Sequence, residues 1–581
     1  MTSPPPPSLL RPELRDVVRL IAGARTRVTI WRARRRSSPA WTALVALILT
    51  VMIAPIVAIG WIALGSTGDS LGHAAGALLW DALSATLFVA FGIGALTLVT
   101  GTAAAWLVTM YRFPGRAIVD RLLVIPLAMP TYIVAYAYAD LLDYAGPLQS
   151  GLRSAFGWQS PADYWFPDIR SAWGAIFVIA SVLYPYVYLT ARANFVQQSV
   201  CVLEVARTLG RTPMGAFWAV ALPLARPALA AGVALVLMEG LNDLGAVQHL
   251  GVPTLTASIY ATWLQRSSLA GAARLAIVML ACIALVFAAE RLARGSAKSH
   301  HTTGRYRSIP FQDLESWHGY AAALFCAMPF IAGFAVPTGV LIYNLLIHRQ
   351  PALSGDFMRA AANSLVLAAL AAAAAVVLAL ILGYARRVAA NGFVRPAVRL
   401  AGLGYAVPGT VLALGLAVPL AAFDNAIDGF MRNTFGVSTG LLLSGSVFAL
   451  TLAYVIRFLA VALGGIEAGL ERISPNLDAA ARALGESALG ALRRVHLPLL
   501  VPALGSAGLL VFVDAMKELP ATLLLRPFDF ETLATQLYGL AALEKFEQGA
   551  LSALAIVLVG LLPVLLLHRA VAGGRAGNGS G

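Results

Sequence analysis

Four acidic residues occupy matching positions inside two strongly apolar stretches of the sequence. Glu239 and Asp243 are four residues apart, and Asp514 and Glu518 repeat that spacing in the second half of the chain. Residues at i and i+4 of a helix lie on one face, so each pair is expected to point in one direction. A carboxylate inside a membrane costs about 2.5 to 3.5 kcal/mol on insertion scales and is expected to face protein or water. Because carboxylate oxygens suit hard metal cations, the pattern predicts a cation path with the four acids as transient metal ligands.

Basic residues near the acids leave a second interpretation open. Lys517 lies between Asp514 and Glu518 and belongs to the predicted path, while Arg457 lies inside a neighbouring apolar stretch. Either residue can act as a counter-ion, in which case the acids have a structural role. An anion path lined by arginine is less favoured, because the corresponding stretches lack paired basic residues.

Each pair of acids follows a segment that also occurs twice. Both copies hold a helix-forming run, a glycine and a Leu-Pro pair, namely Glu204 to Gly210 with Leu222-Pro223, and Ala479 to Gly485 with Leu497-Pro498. The glycines, the prolines and the acids of the two copies are all separated by the same offset without a gap, which indicates a duplication. The composition predicts a short helix, a bend at the glycine and a second helix that begins at Leu-Pro.

This segment resembles the EAA loop of binding-protein-dependent ABC importer permeases. In that family the loop docks into a groove of the ATP-hydrolysing subunit, and two loops imply both halves of a permease dimer fused in one chain. The resemblance assigns coupling to Glu204, Ala206, Arg207, Gly210, Leu222, Pro223, Asp478, Ala481, Arg482, Gly485, Leu497 and Pro498. One departure is visible, because Ala479 stands where the first copy has Glu204. Either the two docking contacts are unequal, or the neighbouring Asp478 substitutes for the missing acid.

The composition is that of an all-α polytopic membrane protein. Apolar residues make up 59% of the chain and charged residues 12%, and the mean hydropathy is +0.77. Runs able to cross roughly 30 Å of hydrocarbon lie near residues 41–64, 83–109, 118–142, 171–191, 227–246, 272–290, 320–346, 362–385, 396–420, 441–463, 502–525 and 550–567. The sequence therefore predicts about twelve transmembrane helices. An even number in each half makes the halves two parallel six-helix repeats, the arrangement that fused type I importer transmembrane domains would have.

Five regions follow from this division. They are a basic cytoplasmic arm (1–40), a first transmembrane domain (41–291, loop 198–227), a cytoplasmic linker (292–318), a second transmembrane domain (319–570, loop 472–502) and a flexible tail (571–581). Arginine collects in the arm, the linker and both loops, which places these regions and both termini in the cytoplasm of a bacterial inner membrane. The net charge of +14 then follows from topology and contact with anionic lipids, so no nucleic-acid partner is expected.

The lysines exclude one common energy source within the chain. A phosphate-binding P-loop needs Gly-Lys followed by Ser or Thr, and the three lysines, Lys298, Lys517 and Lys545, all lack the preceding glycine. We therefore expect no ATPase activity and no bound cofactor in this polypeptide. Any ATP is used by a separate subunit.

Further segments resemble the permeases of ferric-iron ABC importers. They include Met516 to Pro527, Tyr184 to Tyr188 and Val247 to Thr254. This resemblance implies two copies of a cytoplasmic ATPase, a periplasmic binding protein that delivers ferric iron, and iron as the transported ion. Permeases for phosphonate, thiamine and polyamines share the EAA loop, so another small solute stays an alternative. A cation-coupled secondary transporter is less favoured, because it gives no reason for two such loops.

Two prolines and several metal-binding residue types complete the candidates. Pro130, with the adjacent Tyr132, and Pro408 would interrupt helices inside the membrane, which makes these three residues gate candidates, although a packing kink is an equal alternative. Tyr132, Tyr136, Tyr138 and His249 have side chains able to bind iron. The more ordinary interpretation is that these four residues are aromatic and interfacial packing groups.

Overall fold

Helices make up most of the part of the chain that the structure describes. The structure is a computed structural model and describes residues 39–65, 72–197, 210, 212–294, 312–314, 316–347, 354–389 and 391–573. The α-helices of the first half are α1 Pro39–Gly65, α2 Gly72–Met110, α3 Arg116–Leu122, α4 Thr131–Leu142, α5 Pro147–Phe156, α6 Ala172–Gln197, α7 Pro213–Ala216, α8 Leu222–Asn242, α9 Gly245–His249, α10 Leu255–Leu264 and α11 Leu269–Arg294. Those of the second half are α12 Trp317–Phe330, α13 Val336–Ile347, α14 Gly355–Val388, α15 Val394–Ala401, α16 Gly409–Phe435, α17 Val447–Arg472, α18 Pro475–Ala483, α19 Ala488–Ala491, α20 Leu497–Met516, α21 Pro520–Leu525, α22 Leu533–Ala542 and α23 Ala550–Gly573.

Short irregular elements join these helices. Turns of 3-10 helix cover Ile125–Ala128, Pro161–Asp163, Gly402–Ala406 and Phe546–Gly549, and π-helical turns cover Phe217–Ala221, Ile331–Ala335 and Leu492–His496. Two strands, β1 Tyr111–Arg112 and β2 Gln312–Asp313, form a parallel pair. The predicted all-α class is confirmed, since these strands contain only two residues each.

The number of membrane spans agrees with the sequence prediction of about twelve. Eleven helices among the described residues are long and apolar enough to cross a membrane, and a bent pair, Arg116–Ala128 with Thr131–Phe156, supplies a twelfth if it counts as one span. The two members of that pair meet at 95°. Counted as one span, the third span of the first half is bent between these two helices.

The ninth span lies later in the sequence than predicted. The prediction placed it at residues 396–420, whereas α16 covers Gly409–Phe435 and is long enough alone. The preceding α15 is amphipathic, with Arg395 and Arg399 four residues apart. Pro408, with ψ near 143°, holds the chain extended between the two helices.

The described chain forms two compact units, and each contains residues from several parts of the sequence. Unit 1 comprises the described residues within Met1–Ile53, Ala373–Tyr405 and Phe458–Gly508. Unit 2 comprises those within Ala54–Ala372, Ala406–Arg457 and Leu509–Gly581. The five regions expected from the sequence stay a prediction, because compactness does not test where the duplicated halves begin and end.

Within unit 2, glycines let three long helices approach closely. A Cβ on Gly101 of α2 would lie 2.8 Å from Val187 Cβ of α6, and one on Gly232 of α8 would lie 3.0 Å from the Val187 Cα atom. Small residues permit such backbone approaches between membrane helices. The helices α2, α6 and α8 are thereby fixed against each other, and α8 carries the first pair of acids.

The first helices of both halves pack against elements of the other half within unit 2. Asn344 of α13 donates to Asp140 Oδ2 of α4 at 2.8 Å, and the Tyr138 hydroxyl donates to the Ala332 carbonyl at 2.9 Å. In the opposite sense, Gly415 of α16 lies against the backbone of Pro55 in α1. This exchange is the packing expected when two repeats are fused in one chain.

Candidate functional site

Both copies of the duplicated segment contain a glycine in the left-handed region. Gly210 has φ of 81° and Gly485 has φ of 84°, a conformation that glycine adopts without the steric cost of a Cβ atom. In the second copy, Gly485 N donates to the Arg482 carbonyl and Glu486 N to the Ala481 carbonyl, both at 3.0 Å. These two bonds form a Schellman motif, which ends α18 at the glycine as the sequence predicted.

The second helix of each copy begins before Leu-Pro, so that part of the prediction is wrong. Thr212 and Ser487 accept hydrogen bonds from Gly215 N at 3.1 Å and Gly490 N at 3.0 Å, and helices start immediately after them. A five-residue π-helical turn then precedes Leu222 and Leu497. Proline removes a donor and clashes with the carbonyl four residues earlier. A π-turn at that point lets the helix continue past Pro223 and Pro498.

The coupling residues of the second copy differ in exposure. Arg482, Gly485, Leu497 and Pro498 are exposed, while Ala481 is buried. Asp478 is also buried, and its carboxylate contacts Arg387 and His496 of the same chain. The Asp478 oxygens are thus occupied by internal partners, and the substitution of Asp478 for the missing acid stays a prediction.

The first copy is described only in part. Glu204, Ala206 and Arg207 lie outside the described residues. Leu222 and Pro223 are partly exposed. The roles predicted for all twelve coupling residues stay predictions.

The second acid of each pair lies just beyond the end of the helix that carries the first. Helix α8 ends at Asn242 and α20 ends at Met516, and Asp243 is extended with ψ of 117°. Each acid instead precedes a short helix that turns away. Asp243 Oδ1 accepts from Ala246 N at 2.9 Å and Glu518 Oε1 accepts from Ala521 N at 3.0 Å. These carboxylates therefore satisfy the backbone at the start of α9 and α21, and the predicted shared face of each pair stays a prediction.

The pair at Glu518 is held by a counter-ion, as one sequence interpretation anticipated. Arg457 Nη1 of α17 lies 3.4 Å from Glu518 Oε1, and both side chains are almost fully buried. A Cβ on Gly409 would lie 2.5 Å from Arg457 Nη1 and 2.8 Å from Glu518 Oε1. Because Gly409 has no Cβ, the ion pair has space at the start of α16, directly after the break at Pro408.

Asp243 has a different environment. Its Oδ1 accepts from Ala246 N, and Thr131, which follows the Pro130 break, lies beside the carboxylate. Its second oxygen, Oδ2, is buried and has no hydrogen-bond partner among the described residues. Val182 matches Arg457, because the two residues are separated by the same number of residues as Gly210 and Gly485. The first half therefore has no arginine at the position that neutralises the acid in the second.

The first acids of the two pairs, Glu239 and Asp514, lie near basic residues and near each other. Glu239 lies within electrostatic range of Asp514, Lys517 and Arg457, and Lys517 Nζ lies 3.3 Å from Asp514 Oδ1. No three His, Cys, Asp or Glu side chains within the described ranges are close enough to hold a metal ion. In this conformation the four predicted acids therefore do not form one metal centre.

Tyrosines surround the Asp243 turn. Tyr132 and Tyr136 are buried, their rings are 5.8 Å apart, and neither hydroxyl has a hydrogen-bond partner within the described part of the chain. A Cβ on Gly245 would lie 2.6 Å from Tyr132 Cβ and 2.8 Å from Leu519 Cδ2, so the two short turns and Tyr132 meet here. The Tyr136 ring also contacts His249, with centroids 4.5 Å apart. Tyr138 differs from these two tyrosines, because its hydroxyl donates a hydrogen bond to the Ala332 carbonyl.

Arg170 connects the end of α4 to the end of α9. Arg170 Nε donates to Asp143 Oδ2 at 2.9 Å, and Nη1 lies 3.5 Å from the His249 carbonyl. The hydrogen bond to Asp143 raises the pKa of Arg170. The contact fixes the end of α9 against the end of α4.

Comparisons with known proteins identify the family. Residues 97–297 match the family described as "Binding-protein-dependent transport system inner membrane component". The Fe(3+)-transport system permease protein FbpB 2 of Haemophilus influenzae is 28% identical over 83% of this chain and 88% of its own length. The putative 2-aminoethylphosphonate transport system permease protein PhnU of Salmonella choleraesuis is 30% identical over 36% of this chain and 74% of its own. The sulfate transport system permease protein CysT of Salmonella typhimurium is 34% identical over 29% and 57%.

The chain belongs to this family. It is an ABC importer permease of the binding-protein-dependent type and a multi-pass membrane protein, as the duplicated loop and the composition indicated. In this permease the Pro130 and Pro408 breaks each place a helix start against one of the buried acids. Their predicted role as gates stays a prediction.

Four residues of the site escaped the sequence interpretation, namely Thr131, Arg387, Gly409 and His496. Thr131 and Gly409 directly follow the two prolines, and this shared position was an available signal. Arg387 and His496 carried no such signal, because their common partner, Asp478, lies far from both of them in the sequence.

Proposed function

We propose that this permease carries ferric iron released by a periplasmic binding protein. Two copies of a separate cytoplasmic ATPase drive the transport, and both EAA-like loops and both termini face the cytoplasm. The observation that carries the choice of iron is the extent of similarity. The relative named for Fe(3+) transport aligns over 488 residues of this chain, whereas the phosphonate and sulfate relatives align over 216 and 169.

The chemistry of the Asp243 turn supports the same choice. Asp243 Oδ2 and the hydroxyls of Tyr132 and Tyr136 are buried oxygens without hydrogen-bond partners among the described residues. A buried oxygen left without a partner is costly, and carboxylate and phenol oxygens are hard donors suited to a trivalent cation. We infer that these groups meet the ion when the turns separate, and that Glu239, Asp514 and Lys517 line the path beyond them.

The direct test is uptake of radiolabelled ferric iron into proteoliposomes. The vesicles hold this chain and its co-expressed ATPase, and they receive iron-loaded binding protein with and without internal ATP. Accumulation that requires ATP is the expected result. If the binding protein stimulates ATP hydrolysis but no iron is taken up, iron is rejected as the substrate and the importer assignment is kept. Sulfate and 2-aminoethylphosphonate, offered with their own binding proteins, would then be the next solutes.

A pair of variants tests the tyrosines. Tyr136→Phe removes one unpartnered hydroxyl beside Asp243 and is expected to lower the initial rate of iron uptake at least threefold. Tyr184→Phe is the matched control, because the Tyr184 hydroxyl is also buried without a hydrogen-bond partner within the described ranges and belongs to α6 near Cys326. Equal effects of the two variants would remove the phenols from the proposed path.

A further inference from the structure

Three polar side chains of unit 1 meet on the buried side of α18. Arg387 Nε and Nη2 lie 2.9 and 2.8 Å from Asp478 Oδ2, and His496 Nε2 lies 2.8 Å from Asp478 Oδ1. The exposed fraction is 13% for the Arg387 side chain, 6% for Asp478 and zero for His496. The three groups form a buried cluster, which we name the loop clamp.

The members of the loop clamp come from three separate elements. Asp478 lies on α18, Arg387 lies in the last turn of α14, and His496 ends the π-helical turn before α20. Arg387 also donates to the carbonyls of Leu470 and Ile473 at 2.5 and 2.9 Å. One carboxylate therefore joins α18 to α14 and α20, and the arginine adds the end of α17.

His496 is held between two oxygen atoms. Nδ1 lies 3.0 Å from the Ala491 carbonyl oxygen, and Nε2 lies 2.8 Å from Asp478 Oδ1. The second contact is a close approach that is not aligned as a hydrogen bond, since Nε2 has no such bond among the described residues. The ring thereby joins the π-helical turn before α20 to α18.

The first copy of the loop has no such residues. At the offset of the duplication, the residues that match Asp478 and His496 are Leu203 and Ala221. Leu203 lies outside the described residues, but neither residue type can form an ion pair. The loop clamp is thus a property of the second loop alone.

We propose that Asp478, Arg387 and His496 are positioning residues that fasten the second docking helix to the membrane helices. Movement of the ATPase against the exposed side of α18 is then passed to α14, α17 and α20 without bending of the loop. The proposal rests on the ATPase partnership proposed above. It assigns Asp478 to the interior, and it leaves Leu477 and Leu484, both exposed, to meet the partner.

The test uses the full chain co-expressed with its ATPase. Asp478→Asn and Arg387→Gln each leave a buried charge without its ion-pair partner, which is more damaging than removal of both charges together. Each single variant is expected to lower the binding-protein-stimulated rate of ATP hydrolysis at least fivefold, while the amount of co-purified ATPase stays unchanged. The double variant is expected to recover to within twofold of the native rate, because coupled sites are not additive.

A matched control lies on the same loop. Glu486 and Arg494 form an ion pair at 2.5 Å, with the arginine 77% exposed, and exposed pairs contribute little. Glu486→Gln and Arg494→Gln are expected to stay within twofold of the native rate. If Asp478→Asn is not recovered from the membrane, Arg387→Lys replaces it, since lysine keeps the charge and loses the forked contacts, and a loss of about threefold is expected.

Several results would overturn the proposal. They are single variants within twofold of the native rate, a double variant whose loss is the product of the single losses, or a selective loss of co-purified ATPase in Asp478→Asn. The last result would show that Asp478 contacts the partner. Failure of the native chain to co-purify any ATPase would instead contradict the partnership itself, so the two failures are distinguishable.

Discussion

The two halves of the permease solve the same structural problem with different chemistry. In each half a long helix ends before a buried acid, and that acid accepts from a backbone N–H three residues later, at Ala246 and Ala521. Beyond this shared cap the halves differ. Glu518 is neutralised by Arg457, whereas Asp243 lies beside Thr131 and keeps one oxygen without a hydrogen-bond partner among the described residues.

This difference shows that duplication has kept the backbone and changed the electrostatics. A buried carboxylate with an arginine partner is fixed, because separation of the pair would leave both charges unpaired in a medium of low dielectric. A buried carboxylate with an open oxygen can still accept a donor or a cation. We therefore assign a structural role to Glu518 and a transport role to Asp243.

The largest effect is expected when the Arg457–Glu518 ion pair of the second half is broken. Arg457→Met removes the counter-ion of Glu518 and is expected to cost about 3 to 5 kcal/mol of stability, the usual cost of leaving one charge of a buried pair. The measurement is the apparent melting temperature of the purified chain. Adding Glu518→Gln to that variant should restore most of the loss. A melting temperature unchanged by Arg457→Met would mean that the pair contributes nothing.

The next prediction tests the space that Gly409 leaves for the Arg457–Glu518 ion pair. Gly409→Ala introduces a Cβ 2.5 Å from Arg457 Nη1, so the guanidinium must move, and we expect a lower melting temperature and at least a threefold loss of transport. Gly429→Ala is the control on the same helix, because a Cβ there has no neighbour within 4 Å. Equal behaviour of the two variants would refute the crowding argument.

A smaller effect is expected at the loop glycines, where the halves agree. A side chain at φ near +80° costs roughly 1 to 2 kcal/mol, so Gly210→Leu with Gly485→Leu should uncouple hydrolysis from transport and leave membrane insertion intact. The ratio of solute moved to ATP hydrolysed is the measurement. Gly505→Leu, in α20 with no neighbour within 4 Å of a Cβ, is the control. Normal coupling in the double variant would count against the assignment of these loops.

The sequence predicted the fold better than it predicted the site. Composition and the constant offset between the two copies were enough for twelve spans and two repeats, because apolar length and duplication can be read directly along the chain. Hydropathy alone could not predict the position of the ninth span. In the sequence α15 and α16 read as one apolar run, whereas in the structure Pro408 separates the two helices. The basic residues Arg395 and Arg399 were the available warning.

The assumption of one continuous helix through each pair of acids failed for a related reason. The i, i+4 spacing assumes a continuous helix, and α8 stops at Asn242. Asn242, Asp243 and Gly245 are residue types that favour caps and turns, and Pro520 disfavours helix at the residue before it, so a signal existed at both breaks. The contacts of Asp478 had no comparable signal, because Arg387 and His496 reach it only through the tertiary fold.

The most direct measurement is the initial rate of ATP-driven ferric-iron uptake by Asp243→Asn in proteoliposomes. Asparagine keeps the oxygen that accepts from Ala246 N and removes the negative charge, so the fold is retained. The account predicts a native melting temperature and at least a tenfold loss of uptake. An Asp243→Asn permease that carries iron at the native rate would contradict the assignment of transport to the first half.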